Sequence, residues 1–67
     1  MKITGNTIKA KIRSINGAEV KSVANNGKNA FTVYLNDASD NFKVAYALNR
    51  AGYKRTANNG TSISIEA

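Results

Sequence analysis

Three cations near the start of the chain are the first residues whose spacing has a clear chemical use. Lys9, Lys11 and Arg13 alternate with apolar residues between positions 7 and 15. Because a period of two is typical of a half-buried strand, we predict a strand over 7–15 with the three cations on its outer face. Lysine and arginine neutralise phosphates and release counterions, which gives affinity for nucleic acid of any base sequence. The pattern therefore predicts a phosphate-binding stripe.

Two further residues are predicted to extend this stripe across neighbouring strands. Lys21 lies in a second predicted strand, 18–24, and Tyr34 points outward from a third, 30–36. An exposed aromatic ring offers a stacking platform to an unpaired base. The same face also has a purely structural interpretation, because lysines on a solvated sheet face deter edge pairing and aggregation.

A second group of cations belongs to a helix predicted after the third strand. Lys43, Tyr46 and Arg50 are spaced three, four and seven residues apart, and Lys54 and Arg55 follow just beyond the helix end. The spacing places the first three on one exposed helix face. A basic helix of this kind could cross a phosphate backbone or dock on an acidic protein. Part of its charge also suits the negative C-terminal end of the helix.

The residue types that the chain lacks argue against catalysis. The sequence contains no His and no Cys, so it offers no histidine base, no Ser–His or Cys–His pair and no thiolate metal site. Of the four acids, Asp37 and Asp40 suit a helix start. Glu19 and Glu66 would need a close approach to act as a carboxylate pair. We therefore expect a non-enzymatic protein that needs no cofactor and no metal.

Length and charge agree with a binding role. The chain has 67 residues, ten Lys and Arg against four Asp and Glu, and a formal net charge of +6. This length predicts one domain over 1–67, which buries only about 60% of the surface of its unfolded chain, so a homodimer is an option. No apolar run approaches the roughly 20 residues that span a bilayer, and no signal-peptide pattern occurs. We expect a cytoplasmic protein with no membrane role.

Turn residues predict how these elements are connected. The pairs Asn16-Gly17, Asn26-Gly27 and Asn59-Gly60 are typical of hairpin turns. The helix is predicted to begin at Asp37 or Ser39 and to end before Gly52, and strands over 53–56 and 61–66 follow it.

The predicted order is therefore β-β-β-α-β-β. It corresponds to an α+β fold with a small antiparallel sheet, made of a three-stranded meander and a C-terminal hairpin. One helix packs on one face of the sheet, and the other face meets solvent or a partner. The Asn-Asn-Gly turns at 25–27 and 58–60 hint at a repeat, but we predict none, since their flanks do not match. The predicted core comprises Ile8, Ala10, Ile12, Val20, Phe31, Val33, Leu35, Val44, Ala45, Leu48, Ile63 and Ile65.

Three functions agree with these patterns. The first is a nucleic-acid-binding module without base specificity. The second is a protein that binds an acidic host or partner protein, for example an inhibitor of a nucleic-acid-processing complex. The third is a subunit of a homo-oligomer, in which the charge serves solubility alone. The small size, the Asn-rich turns and the lack of catalytic residues are compatible with a phage or mobile-element accessory protein.

Overall fold

Each helix is followed by two strands in the computed structural model, which describes residues 3–66. The order within this range is α-β-β-α-β-β, and a short 3₁₀ turn, Ala38–Asp40, precedes the second helix. The elements are α1 Gly5–Asn16, β1 Ser22–Gly27, β2 Ala30–Tyr34, α2 Asn41–Arg50, β3 Lys54–Asn58 and β4 Ser62–Glu66. The α+β class is confirmed, but the predicted order with one helix and a three-stranded meander is wrong.

The first segment is a helix, so the strand predicted over 7–15 is wrong. Ile8 and Ile12 are buried and Ile15 packs against the core, whereas Ala10 is exposed. Spacings of four and three residues match the helical period. The alternation of apolar and basic residues satisfies the strand period as well, so the pattern inside the segment does not distinguish the two.

Capping residues at both ends settle the segment as a helix. The Thr4 side-chain oxygen accepts a hydrogen bond from the Thr7 N–H at 3.3 Å, as a helix N-cap does. Gly17 ends the helix with a φ of 72°, and its N–H donates to the Arg13 carbonyl at 2.8 Å. Asn16-Gly17 is therefore a helix C-terminus and not the predicted hairpin turn, and the next strand begins at Ser22 instead of position 18.

The four strands form one antiparallel sheet in the order β1-β2-β4-β3. Two hairpins, β1–β2 and β3–β4, are joined where β2 pairs with β4. In the central pair Ala30 faces Glu66, Thr32 faces Ser64 and Tyr34 faces Ser62. The turns predicted around Asn26-Gly27 and Asn59-Gly60 do connect hairpin strands.

The chain consists of two αββ units, so the prediction of no repeat is wrong. Unit 1 is α1 with β1 and β2, and unit 2 is α2 with β3 and β4. Thr32 and Ser64 face each other at the centre, 32 positions apart, and the β2–β4 pairing is symmetric about them. The two units are therefore related by an approximate two-fold axis through the sheet.

The two Asn-Asn-Gly turns occupy the same place in the two units. Residues 20–27 read VKSVANNG and residues 53–60 read YKRTANNG, so that outside the turn itself only Lys21/Lys54 and Ala24/Ala57 are identical. In each turn the first Asn accepts a hydrogen bond from the Gly N–H two residues on, at 2.9 Å in unit 1 and 3.2 Å in unit 2. The same side-chain turn thus closes both hairpins.

One face of the sheet carries the core and both helices. Phe31 and Val33 from β2 and Ile63 and Ile65 from β4 point toward this face and are buried. Of the residues predicted to form the core, Ala10 is exposed, so its assignment is wrong. Val20 is only half-buried and packs against the core. The buried hydrophobic residues are Ile8, Ile12, Ala18, Phe31, Val33, Leu35, Val44, Ala45, Ala47, Leu48, Ile63 and Ile65.

The other face of the sheet is open and carries small side chains at its centre. Thr32 is nevertheless buried there. Its hydroxyl is satisfied, since it accepts a hydrogen bond from the Asn26 side-chain amide and lies 3.4 Å from the Ser64 hydroxyl. The predicted single helix on one sheet face is wrong in number, because both α1 and α2 lie on the face that carries the core.

Candidate binding site

The cations predicted to form one strand stripe are spread around α1. Side chains two residues apart on a helix point in different directions. Lys11 therefore points away from the side of α1 on which Lys9 and Arg13 lie. Lys9 is half-buried, and Arg13 lies 3.7 Å from a Glu19 carboxylate oxygen. The predicted stripe is therefore wrong.

Tyr34 points outward as predicted, but away from those cations. It is 42% exposed and lies on the open sheet face between Ser22 and Ser62. Lys21 precedes β1, and its N–H donates to the Tyr34 carbonyl at 2.8 Å. Because α1 packs on the opposite sheet face, Tyr34 and the α1 cations cannot act as one surface.

The outer face of α2 brings together the three residues that the sequence assigned to it. Lys43, Tyr46 and Arg50 are exposed, and Tyr46 shows 52% of its surface. Phe42, which belongs to neither the predicted core nor the predicted site, is 85% exposed. The signal that could have found it is the stripe of Phe42, Tyr46 and Asn49, spaced four and three residues apart on one helix flank.

Side-chain hydrogen bonds organise the segment that leads into α2, although Asp40, the N-cap of α2 itself, makes no side-chain capping bond. The Asp37 carboxylate accepts the Ser39 N–H at 2.9 Å and so caps the 3₁₀ turn, while Ser39 lies inside that turn. The backbone and then the side-chain hydrogen bond from Ser39 hold the pKa of Asp37 below its ordinary value. Asn41 and Asn58 exchange amide hydrogen bonds at 2.8 and 2.9 Å, which ties the start of α2 to β3.

A β-bulge in β3 decides which of its side chains face α2. Lys54 pairs with Glu66 on the open sheet face, whereas Arg55 pairs with Ile65 on the helix side. The register then shifts between Arg55 and Ala57, so that Asn58 also lies on the helix side, opposite Ile63. Lys54 and Arg55 therefore diverge, and only Arg55 joins the α2 surface. The strand itself runs from Lys54 to Asn58, two residues beyond the predicted 53–56.

These residues line a groove between α2 and β3 of about 350 Å³, hereafter the α2–β3 groove. Phe42, Tyr46 and Asn49 form its helix side, Arg55 faces them from β3, and the Asn41–Asn58 amide pair adds further lining. The groove is thus lined by two exposed aromatic rings, one guanidinium group and several side-chain amides. A smaller cleft of about 150 Å³ beside α1 is lined by Lys9, Arg13 and Glu19 with two apolar residues.

The cations around the α2–β3 groove are exposed to solvent. Within residues 3–66 the Arg13–Glu19 pair is the only ion pair, so Lys43, Arg50 and Arg55 have no carboxylate partner in this part of the chain. The same range contains no group of three acids placed to hold a metal ion. None of the helices described for this chain combines the length and apolar character needed to cross a membrane.

The candidate site is therefore an exposed surface of unit 2 that combines basic and aromatic side chains. Comparisons with protein-family models, with curated proteins and with solved structures found no match for this chain.

Proposed function

We propose that the protein binds nucleic acid through the outer face of α2 and Arg55. The observation that carries this proposal is the pair of exposed rings, Phe42 and Tyr46, beside cations that have no carboxylate partner among residues 3–66. Rings of this kind stack on bases, and the cations neutralise phosphates. The role is binding without catalysis, in agreement with a sequence that has no His and no Cys.

The exposure of Phe42 supports a ligand at this position. Burying a Phe side chain is worth about 1.5–3 kcal/mol, and this protein leaves one of its two phenylalanines 85% exposed. A lone exposed apolar residue is ordinary, but Phe42 lies one helical turn from a second exposed ring and beside a groove. The helix face thus combines apolar area with positive charge, as a nucleic-acid contact requires.

Salt dependence tests the proposal. Fluorescence anisotropy with a labelled single-stranded oligonucleotide is measured at several salt concentrations. If Lys43, Arg50 and Arg55 each neutralise one phosphate, the slope of log K against log salt is about −2, a loss of about twenty-fold between 50 and 200 mM. Absence of binding at low salt would refute the proposal.

A matched pair of variants locates the surface. K43Q/R50Q and K9Q/K11Q both lower the formal charge from +6 to +4. Only the first pair removes cations from the α2 face, so it is expected to bring the salt slope to about −1, while K9Q/K11Q leaves the slope near −2. An equal effect of the two pairs would mean that bulk charge, and not this surface, holds the ligand.

The exposed rings with a neighbouring Arg favour a second candidate, an acidic partner protein such as a component of a nucleic-acid-processing complex. Aromatic residues and Arg are enriched at the energetic centres of protein interfaces. This function predicts one stoichiometric partner in a pull-down, lost on K43Q/R50Q, together with no oligonucleotide binding at low salt. Sedimentation velocity tests the homo-oligomer hypothesis, which a monomer at working concentration would contradict.

A further inference from the structure

We infer that the α2–β3 groove holds an unpaired nucleobase, so that the ligand is single-stranded nucleic acid; the inference rests on the proposed function. The groove, at about 350 Å³, lies at the lower end of the range of about 300–1,000 Å³ for pockets that bind small molecules. It therefore has room for a group the size of a base with its sugar. Bases inside a duplex are stacked and paired, and they cannot enter such a groove without being flipped out.

The two rings offer the faces on which a base stacks. Phe42 and Tyr46 are four residues apart on α2, which sets their Cβ atoms about 5–6 Å apart. Both are exposed, so a base can reach them without a rearrangement of the core. Stacking on aromatic rings tolerates any base, because every base has a π-face.

The opposite wall supplies charge. Arg55 lies on the helix side of β3, across the groove from the rings, and has no carboxylate partner within residues 3–66. Its guanidinium can stack on the base or bind the adjacent phosphate. Lys43 and Arg50 flank the same helix face and suit neighbouring phosphates of the strand.

Asn49 is the amide available to a base edge. Asn41 and Asn58 are engaged with each other and with Gly60, whereas the Asn49 side chain makes no hydrogen bond to any residue between 3 and 66. A free carboxamide offers both donors and an acceptor to the edge of an unpaired base. The groove thus offers contacts to the face and the edge of one base and to the phosphate of the same nucleotide.

The test uses two strands of equal length and charge that differ in their bases, and a duplex of the same length that carries twice the phosphates. A single-stranded oligonucleotide, an abasic sugar-phosphate strand and a duplex compete for the protein in fluorescence anisotropy. We expect the strand with bases to bind about 5- to 150-fold more tightly than the abasic strand, which is the range for one stacked base. Single strand is also expected to bind more tightly than duplex.

Ring variants assign that difference to the groove. Phe42→Ala and Tyr46→Ala are each expected to remove most of the preference for the strand with bases over the abasic strand. Tyr34→Ala removes an exposed ring from the open sheet face and is expected to change neither affinity. Circular dichroism checks that the variants fold. Independently of any variant, the side-chain amide resonances of Asn49 in the wild-type protein are expected to shift on titration with the oligonucleotide.

The failure of this inference is distinguishable from the failure of the proposed function. Equal, salt-sensitive binding of the abasic strand and the strand with bases would overturn the base-binding groove and leave nucleic-acid binding intact. Tighter binding of duplex, or Asn49 resonances that stay in place at saturation, would also overturn it. No binding of any of the three ligands at low salt would overturn both.

Discussion

The two αββ units have the same framework but differ where the helix meets the edge strand. Ile8 and Ile12 in α1 correspond to Val44 and Leu48 in α2, each 36 positions further on, and all four are buried. Both units close their hairpin with an Asx turn. The core and the turns therefore account for what the units share.

In unit 1 the start of the helix lies directly against the edge strand. A Cβ atom at Gly5 would be 3.3 Å from both the Cβ and the carbonyl oxygen of Val23, so a larger side chain needs its neighbours to shift. In unit 2 the equivalent position is Asn41, which bridges to Asn58 through side-chain amides. On the helix side of the sheet, β1 of unit 1 places Val23 opposite Val33. At the corresponding position of unit 2, β3 places Arg55 opposite Ile65.

The outward-facing positions of the two helices also carry different residues. Unit 1 has Asn6 and Ala10 where unit 2 has Phe42 and Tyr46. Since unit 1 forms the same structure without rings, the framework does not require them. The difference between the units therefore supports the proposal that the rings and Arg55 bind a ligand on unit 2.

The largest effect is expected in the core that the units share. Ile12→Ala and Leu48→Ala remove equivalent buried side chains, each at a cost of about 2–5 kcal/mol in the free energy of unfolding. A domain of this size has a total stability of the same order, so both variants are expected to unfold largely, and as one unit. Urea denaturation followed by circular dichroism measures this. Two separate transitions would show that the units fold independently.

A smaller effect distinguishes the two Asx turns. Asn58→Ala removes the turn bond to Gly60 and both amide bonds to Asn41, whereas Asn25→Ala removes only the bond to Gly27. At a net value of about 0.5–1.5 kcal/mol per hydrogen bond, lowered here by solvent exposure, Asn58→Ala is expected to destabilise the protein by about 1 kcal/mol more. Equal losses in urea denaturation would mean that the Asn41–Asn58 pair contributes nothing to stability.

The helix C-termini are expected to respond alike. Gly17 follows α1 with a φ of 72° and Gly52 follows α2 with a φ of 89°. No atom lies within 4 Å of an added Cβ at either position, so alanine there costs only the left-handed backbone strain, about 1 kcal/mol. Thermal denaturation of Gly17→Ala and Gly52→Ala is expected to give similar losses, and a much larger loss at one site would contradict this equivalence.

The smallest effect concerns pH. Asp37 caps the entry to α2 in its ionised form, while the N-cap of α1 is the uncharged Thr4. Because the pKa of Asp37 is lowered in the folded state, its contribution is complete above the unfolded pKa and is lost as pH falls through the folded one. Stability measured from about pH 6 to about pH 2 is expected to fall slightly less in Asp37→Asn than in wild type. An identical pH profile would show that the cap does not depend on charge.

Part of the fold could be predicted from the sequence because some patterns allow only one structure. Phe31, Val33, Ile63 and Ile65 alternate strictly within short segments, and all were correctly assigned to buried strand positions. The segment that contains Ile8 and Ile12 fits both periods, and only the caps at Thr4 and Gly17 decide for a helix. The repeat was missed because outside the Asn-Asn-Gly turns the aligned segments share only Lys21/Lys54 and Ala24/Ala57, whereas the order of helices and strands reveals the two units.

The site was predictable in part for similar reasons. Lys43, Tyr46 and Arg50 follow from helical spacing, which holds in α2. Phe42 was left out of the predicted site, because helical spacing alone cannot reveal that β3 leaves this flank of α2 uncovered. Arg55 and Lys54 were grouped by adjacency, but alternation along a strand separates them, and the bulge after Arg55 has no signature in the sequence.

The most direct test of the account gives unit 2 the residues that unit 1 has at its equivalent positions. In F42N/Y46A, both rings of the α2–β3 groove are replaced by the residues of α1 while all ten cations remain. Affinity for a single-stranded oligonucleotide is measured by anisotropy at about 50 mM salt beside the wild-type protein. If bases stack on the two rings, the variant is expected to lose about 5- to 150-fold in affinity for each base that stacks, with the salt slope unchanged. An affinity equal to that of wild type in the folded variant would contradict it.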